Sequence, residues 1–448
     1  MKINAAAAQQ GTKKVTKRVS IGAQILLLLL VLAAATVWAT VWWLNQRGEA
    51  ALPPQEKAFT STPQQIERGA YLAQVGNCAA CHTVRGGAPY AGGRVIETPF
   101  GEVFAGNLTP DLQTGLGRWT RSEFWRALHN GRARDGRLLY PAFPYTNTTL
   151  ITRDDADALY AYLQRLPAVV QARPAHTLRF PYNTQAALAV WRALYFTPED
   201  YQPEASRSAE WNRGAYLVQG VGHCKACHAT RNALGAVEGG RGDFGGGMIP
   251  MQGWYAPSLH SAAEAGVAEW SVQQVVDLLK TGVSVQATAD GSTYASALGP
   301  MADVVYRSTQ HWTEADLRST AEFLKSLPSA PSNAPSSPSR VAVSVDLNKG
   351  KKIYENQCAD CHGGQGEGRG AYPPLAGNRA VTMNATTNLV RILRSGGFPP
   401  ATAGNPRPYS MPPFELSGDD MAAVVSYIRG AWGNKAAPIS AAEVLSGK

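Results

Sequence analysis

The sequence predicts an all-α protein: three tandem helical domains behind one N-terminal transmembrane helix. Three observations predict it. The pattern Cys-X-X-Cys-His occurs three times, at Cys78 to His82, Cys224 to His228 and Cys358 to His362. Similar residues lead into each copy and a capped helix follows each one. No alternating apolar and polar run of useful strand length accompanies them. At 448 residues, a prior of about 150 per domain gives about three domains.

The N-terminal element comes first. Lys13, Lys14, Lys17 and Arg18 precede a run from Ile25 to Leu44 that has no ionisable side chain. Such a run is long enough for a helix to cross a hydrocarbon core about 30 Å thick. The basic flank places residues 1–24 in the cytoplasm, and Trp38, Trp42 and Trp43 suit the far interface. A cleaved signal peptide is the competing reading, with Val37 and Ala39 as the small residues before a cut. The apolar run exceeds the usual core of about 7–15 residues in such peptides, so a retained anchor at 25–44 is favoured. Either way, the rest of the chain is exported.

A polar tether with Pro53 and Pro54 leads to a first domain expected over 64–166. It opens with Gln65-Ile66-Glu67-Arg68-Gly69-Ala70-Tyr71-Leu72, has a middle helix capped at Thr120-Arg121-Ser122-Glu123, and closes with a helix capped at Thr152-Arg153-Asp154-Asp155. A hydroxyl with an acid or amide three residues on marks a helix N-terminus. The connector 167–206 contains a helical stretch from Ala186 to Phe196 with Trp191, expected to hold the first two domains together.

The second domain, 207–328, repeats the opening as Glu210-Trp211-Asn212-Arg213-Gly214-Ala215-Tyr216-Leu217 and carries caps at Ser271 and Thr313. The Pro/Ser linker 329–344 has nothing to bury, which makes the third domain the mobile one. That domain, 345–434, sets Gly350, Tyr354 and Cys358 four apart on one helical face, where the glycine would admit another helix closely. Its last helix starts at Ser417, and the tail 435–448 is expected to be disordered.

Composition excludes little. The hydrophobic share of 44% and charged share of 17% are ordinary for a globular chain. The net charge of +9 is modest, and no nucleic-acid motif accompanies it. The three motifs use all six cysteines, so none is left for a disulfide.

Cys-X-X-Cys-His points to covalently attached haem c. One helical turn brings two thiols to one side for thioether formation, and the next residue offers an imidazole to the iron. The pairs Cys78/Cys81, Cys224/Cys227 and Cys358/Cys361 are therefore the expected attachment points of three haem c groups, with His82, His228 and His362 as proximal ligands. A zinc framework or a thiol redox pair is the alternative for a lone Cys-X-X-Cys, but zinc would need a second pair within about 15–20 residues.

The sixth ligand separates an electron carrier from a haem that binds small molecules. Met411, between prolines in Pro408 to Phe414, is the candidate in the third domain, and Met301, in Ala297 to Ala302, in the second. Met383 and Met421 read as core. Met248 and Met251 follow the glycine-rich stretch from Gly239 and read as lining a cleft beside the haem, though either could be a ligand instead. The first domain has Phe143 where a methionine would sit. Its iron is five-coordinate, takes His129 or His176, or borrows Met248 or Met251 from its neighbour.

These units, with Asn107 to Asp111, Ala209 to Leu217, Gly253 to Pro257 and Gly299 to Ala302, resemble the triple-haem cytochrome c subunits of bacterial membrane-bound periplasmic dehydrogenases for alcohol, gluconate and aldehyde. The likeness spans about 64–434 and implies three class I cytochrome c-like domains. It further implies an electron-transfer subunit of a respiratory chain, with no catalysis of its own. Such a subunit accepts electrons from a quinoprotein, flavoprotein or molybdopterin catalytic partner and passes them to ubiquinone or an oxidase in the bacterial inner membrane, its haems facing the periplasm. Met301 and Met411 match that family's axial ligands. Phe143 and the retained anchor depart from the alcohol-dehydrogenase pattern and favour a molybdenum-hydroxylase partner. The rival is a peroxidase-like haem enzyme using an open first iron, for which Phe143 is the sole support and no distal His/Arg pair is visible.

Overall fold

A computed structural model describes residues 5–53, 55–56, 59–288, 291–331 and 345–446. The first helix, α1 (Ala5–Gln46), is longer at both ends than the expected 25–44 anchor. Its apolar part, Ile21–Gln46, has a mean hydropathy of 2.4 and points Leu, Ile, Val and Trp side chains outward. The alanines and glutamines before it are good helix formers, so nothing stops the helix earlier.

Local capping chemistry sets most of the remaining helices. Thr62 and Gln65 form a reciprocal capping box that starts α2 (Pro63–Val75), with Pro63 in the first turn. Thr120 starts α3 (Arg121–Asn130) and Thr152 starts α4 (Arg153–Leu163). Thr184 starts α5 (Gln185–Tyr195) and Ser208 starts α6 (Ala209–Tyr216). Ser271 starts α7 (Val272–Thr281), and α8 (Pro300–Arg307) follows. Thr313 starts α9 (Glu314–Lys325) and Asp346 starts α10 (Leu347–Gln357). After α11 (Thr387–Ser395), Ser417 starts α12 (Gly418–Gly430), and α13 (Ala441–Ser446) ends the described chain.

Three helix crossings organise the chain: α2 on α4, α6 on α9, and α10 on α12. A glycine sits at the centre of each. A Cβ at Gly69 would overlap the Ala158 carbonyl, one at Gly214 the Ser319 carbonyl, and one at Gly350 the Ala423 carbonyl. Backbones meet at these points without an intervening side chain, which fixes where each opening helix crosses its closing helix.

The expectation of a wholly α-helical chain is corrected. Helix makes up 44% and strand 8%, in short antiparallel pairs. Strand β1 (Val95–Thr98) pairs with β2 (Gly101–Phe104), which also pairs with β3 (Thr177–Leu178). Strand β4 (Gly247–Ile249) pairs with β5 (Trp254–Ala256), and β6 (Val283–Thr288) with β7 (Gly291–Ser296). Most of these runs are too short for alternation to stand out against turn residues.

Core packing divides the molecule unevenly. Leu72, Val75, Leu159 and Leu163 from the first segment share one continuous core with Tyr216, Leu217, Val221, Val275 and Leu317 from the second. The third segment has its own core around Tyr354, Val390, Leu393, Met421, Val425 and Ile428.

Two expectations are corrected here. The tail is packed over its described residues, 435–446, because Ile439 and Val444 are buried in the third core and the Ser426 side chain bonds the Ile439 backbone; residues 447–448 lie outside the described residues. The third segment is seated on the second: Asn388 accepts from Tyr255 N at 2.9 Å and donates to Tyr255 O at 2.7 Å. Arg379 donates to Gly266 O at 2.8 Å and lies over the Trp270 ring. Complementary surfaces on the two segments do this, and the linker composition carries no information about them. Of the linker 329–344, residues 332–344 lie outside the described residues, as do residues 1–4 of the basic N-terminus.

Candidate functional site: three cysteine-histidine turns

Each motif occupies one tight turn at the end of an opening helix. Cys78–His82 is a short helix, Cys224–Ala226 a 3₁₀ turn with His228 just beyond, and Ala359–His362 a helical turn starting from Cys358. Asn77 and His223, each just before the first cysteine, hold left-handed backbone with φ of 49° and 41° and break the preceding helix. The second segment has one more residue between Gly214 and Cys224 than the first has between Gly69 and Cys78. A π-helical turn at Leu217–Val221 absorbs it.

The three histidines share one geometry. His82 Nδ1 bonds the Gly106 carbonyl at 2.7 Å, His228 Nδ1 the Pro257 carbonyl at 2.8 Å, and His362 Nδ1 the Pro373 carbonyl at 2.8 Å. A carbonyl can only accept, so Nδ1 carries the proton and Nε2 keeps its lone pair. This is how proteins orient a metal-binding imidazole. Burial lowers all three imidazole pKa values against the opposing pull of those carbonyl bonds, which keeps the rings neutral.

The cysteines fit covalent attachment better than the alternatives. Burial pushes the Cys78 and Cys224 thiols up to about 12 and Cys358 up to about 11. A reactive redox pair needs the opposite shift. Among the described residues, no three His, Cys, Asp or Glu side chains gather as a metal site.

The two thiols of the third turn are not equally buried. Cys358 is buried and belongs to the third core beside Tyr354, whereas Cys361 is exposed. Cys81 is likewise exposed in the first turn, while Cys227 is half-buried in the second. Exposure does not bar thioether formation, so Cys361 and Cys81 remain suited to attachment. The residues present therefore fit a haem held by two thioethers and one imidazole at each turn.

The first two turns lie almost back to back. His223 Nε2, beside Cys224, donates to the Gly76 carbonyl at 3.1 Å, two residues from Cys78. Ser308 donates to the Val75 carbonyl at 2.9 Å. The Cys227 thiol is raised by burial, eased by Arg231, and raised again by Cys81 of the other turn.

Met301 stands at the start of α8, partly buried against the shared core, and Asp303 two residues on bears on Cys81. Met411 sits in a backbone bridge with Gly397, with bonds of 2.8 and 2.9 Å, against the third core. The same Gly397 packs toward Leu298 of the Met301 loop. Met383 and Met421 are buried in the third segment. Met248 and Met251 are exposed on the β4 hairpin, which begins against Ala229, next to His228.

In the first segment Phe143 lies on the loop between α3 and α4. His129 is buried, stacked on Trp125, with Nδ1 on the Thr149 carbonyl at 2.7 Å. His176 accepts from Phe104 N at 3.0 Å, and burial together with Arg173 pulls it down to about 4. His176 is thus engaged in structural bonds, whereas His129 bonds a carbonyl through Nδ1 in the same way as His82, His228 and His362.

Sequence reasoning missed the most regular feature of the site. Arg68 pairs with Asp155 at 2.5 Å and Arg213 with Asp316 at 2.7 Å, each joining an opening helix to its closing helix. Tyr71 then crosses to Asp316 and Tyr216 crosses to Asp155, both at 2.6 Å. The repeated Arg-Gly-Ala-Tyr was the available signal.

A cytochrome c family model matches residues 66–167 and 347–432. The chain is 40% identical over 370 residues to a nicotinate dehydrogenase subunit from Pseudomonas putida, an alignment that covers 81% of this chain but only 30% of that longer protein. It is 37% identical over 410 residues to the cytochrome c subunit of a quinone-dependent alcohol dehydrogenase of Gluconacetobacter polyoxogenes, covering 86% of each. It is 35% identical over 401 residues to the gluconate 2-dehydrogenase cytochrome c subunit of Pantoea cypripedii, covering 85% of this chain and 89% of that one. Alignment over nearly the whole of two such subunits, with the recurring turn geometry above, makes this chain a member of the cytochrome c subunits of membrane dehydrogenases: an electron-transfer subunit that binds haem c covalently.

Proposed function

We propose that the chain relays electrons through three haem c groups, attached at Cys78/Cys81, Cys224/Cys227 and Cys358/Cys361. His82, His228 and His362 serve as proximal ligands, and Met301 and Met411 as distal ligands of the second and third. The haem supplies one-electron redox chemistry, and the protein supplies ligands, burial and orientation. The three haem-bearing domains span about 64–166, 207–328 and 345–434, with α1 as an inner-membrane anchor that leaves them on the periplasmic side. Electrons enter from a dehydrogenase catalytic subunit of molybdopterin, flavin or quinoprotein type and leave to ubiquinone or a terminal oxidase.

The single observation that carries this is the threefold repetition of a neutral imidazole, its Nδ1 fixed by a backbone carbonyl, beside a cysteine pair whose first thiol is shielded from ionising. Two contacts support a linear order. Gly76 with His223 joins the first site to the second, and Leu298 with Gly397 joins the second to the third. A pyridine haemochrome assay on the purified chain tests the count: three haems per polypeptide are expected, and two or fewer would end the proposal.

A further inference from the structure

Helix α5 (Gln185–Tyr195) has its polarity reversed. Its one charged residue, Arg192, is 3% exposed and faces inward, donating to Asn45 Oδ1 at 2.9 Å and to the Asn130 carbonyl at 2.7 Å. Leu188 and the following Phe196 are buried beside it at the same four-residue spacing. The opposite side carries Ala186, Val190 and Leu194, also four apart, and Ala193. That side faces outward, with Val190 39% and Leu194 64% exposed. A helix on an aqueous surface normally turns charged residues outward. Between its ends, this one turns out only alanine, valine and leucine.

Its position supplies the occupant. Asn45, at the end of α1, donates to the Ala189 carbonyl at 2.9 Å, so α5 packs directly on the last turns of the apolar helix. Those turns carry Trp42 and Trp43, 66% and 59% exposed, as interfacial tryptophans are at the edge of a bilayer. Tyr182 and Tyr195 flank α5, each partly exposed, with Phe180 protruding just before. An apolar helix face with aromatic rings at its ends, fixed at the level where a membrane span emerges, has the chemistry of an interfacial helix.

We infer that α5 is a second membrane contact, lying along the outer lipid interface with Val190 and Leu194 turned into it. The inference rests on α1 being a membrane span. It adds that the first segment is held against the bilayer on two elements, so the body cannot swing on the tether after Gln46. Arg192 is the positioning residue: its inward bonds tie α5 to both α1 and α3.

The test uses the full-length holoprotein in vesicles of phosphatidylethanolamine and phosphatidylglycerol. A photoreactive benzophenone amino acid replaces Leu30 within α1, Leu194 on α5, or Leu347 on the third segment, and adducts are identified by mass spectrometry. Lipid adducts at 30 and 194 with none at 347 are expected. A lipid adduct at 30 with none at 194 overturns the inference and leaves the anchor standing. A protein adduct at 194, to a second copy or to a dehydrogenase subunit, also overturns it. No lipid adduct at 30 removes the anchor and the inference with it.

Discussion

The hydroxyl of Tyr71 donates to Asp316 at 2.6 Å across 245 residues of chain. Tyr216 answers with the same bond to Asp155, so the first two segments exchange equivalent tyrosines about a local pseudo-twofold axis. Each receiving carboxylate is already paired with the arginine of its own segment. The exchange adds a reciprocal polar tie between two segments whose cysteine-histidine turns are also joined by the His223–Gly76 and Ser308–Val75 bonds. Under the proposed relay, a fixed separation between the two sites means that transfer needs no search for orientation.

The Asp316 half of this brace titrates. Burial alone would raise the Asp316 carboxyl, but hydrogen bonds from Arg213 and Tyr71 outweigh it and hold it below the usual carboxylate range. Its contribution is therefore complete above the unfolded carboxyl pKa of about 4 and fades as pH falls through the lower folded value. Tyr71→Phe removes one donor from a buried carboxylate. It should cost about 1–3 kcal/mol at neutral pH and move the acid-unfolding midpoint upward, read by the Soret band. An unchanged midpoint would show that Arg213 alone sets the titration.

Gly350→Ala forces a Cβ into the Ala423 carbonyl. The helices must separate, at a cost of at least about 1–3 kcal/mol. Because the third core is separate, calorimetry should show the third segment melting earlier while the transition of the joint body stays put. A shift of both transitions together would mean that the cores unfold as one.

Ile439→Ala removes a side chain that is fully enclosed in the third core. A loss of about 2–5 kcal/mol is expected, with the same selective effect on the third segment. Full stability in this variant would mean that the tail does not pack in solution.

Met411→Ala should leave one haem open to an added sixth ligand. Carbon monoxide titration of the reduced variant should then show one more binding haem than the parent chain, with a lowered potential for that centre. Binding equal to the parent's would assign the ligand elsewhere. The parent's own titration reports on the proposed first haem, where Phe143 stands in place of a methionine and His176 is engaged by the Phe104 backbone.

Asn388→Ala deletes both bonds to the Tyr255 backbone. The third segment should loosen on the second, giving slower transfer between the last two haems in flash photolysis and unchanged spectra for each. An unaltered rate would show that Arg379 and the Thr402–Thr281 contact suffice.

Much was legible locally. The cysteines, histidines and caps at Thr120, Thr152, Ser271, Thr313 and Ser417 act through neighbours a few residues away, so sequence alone determined the helix starts and where the cysteine-histidine turns fall. Gly350 announced a close crossing without naming the carbonyl it would meet, and the structure adds the same crossing at Gly69 and Gly214. The tertiary structure decided what depends on distant pairs: Tyr71 with Asp316, Asn388 with Tyr255, Ile439 in the third core, and the outward apolar side of α5. It also decided burial within a turn, leaving Cys361 exposed beside a buried Cys358. Complementarity between surfaces far apart in the chain leaves no periodic trace in either stretch, so only the folded arrangement could supply those contacts.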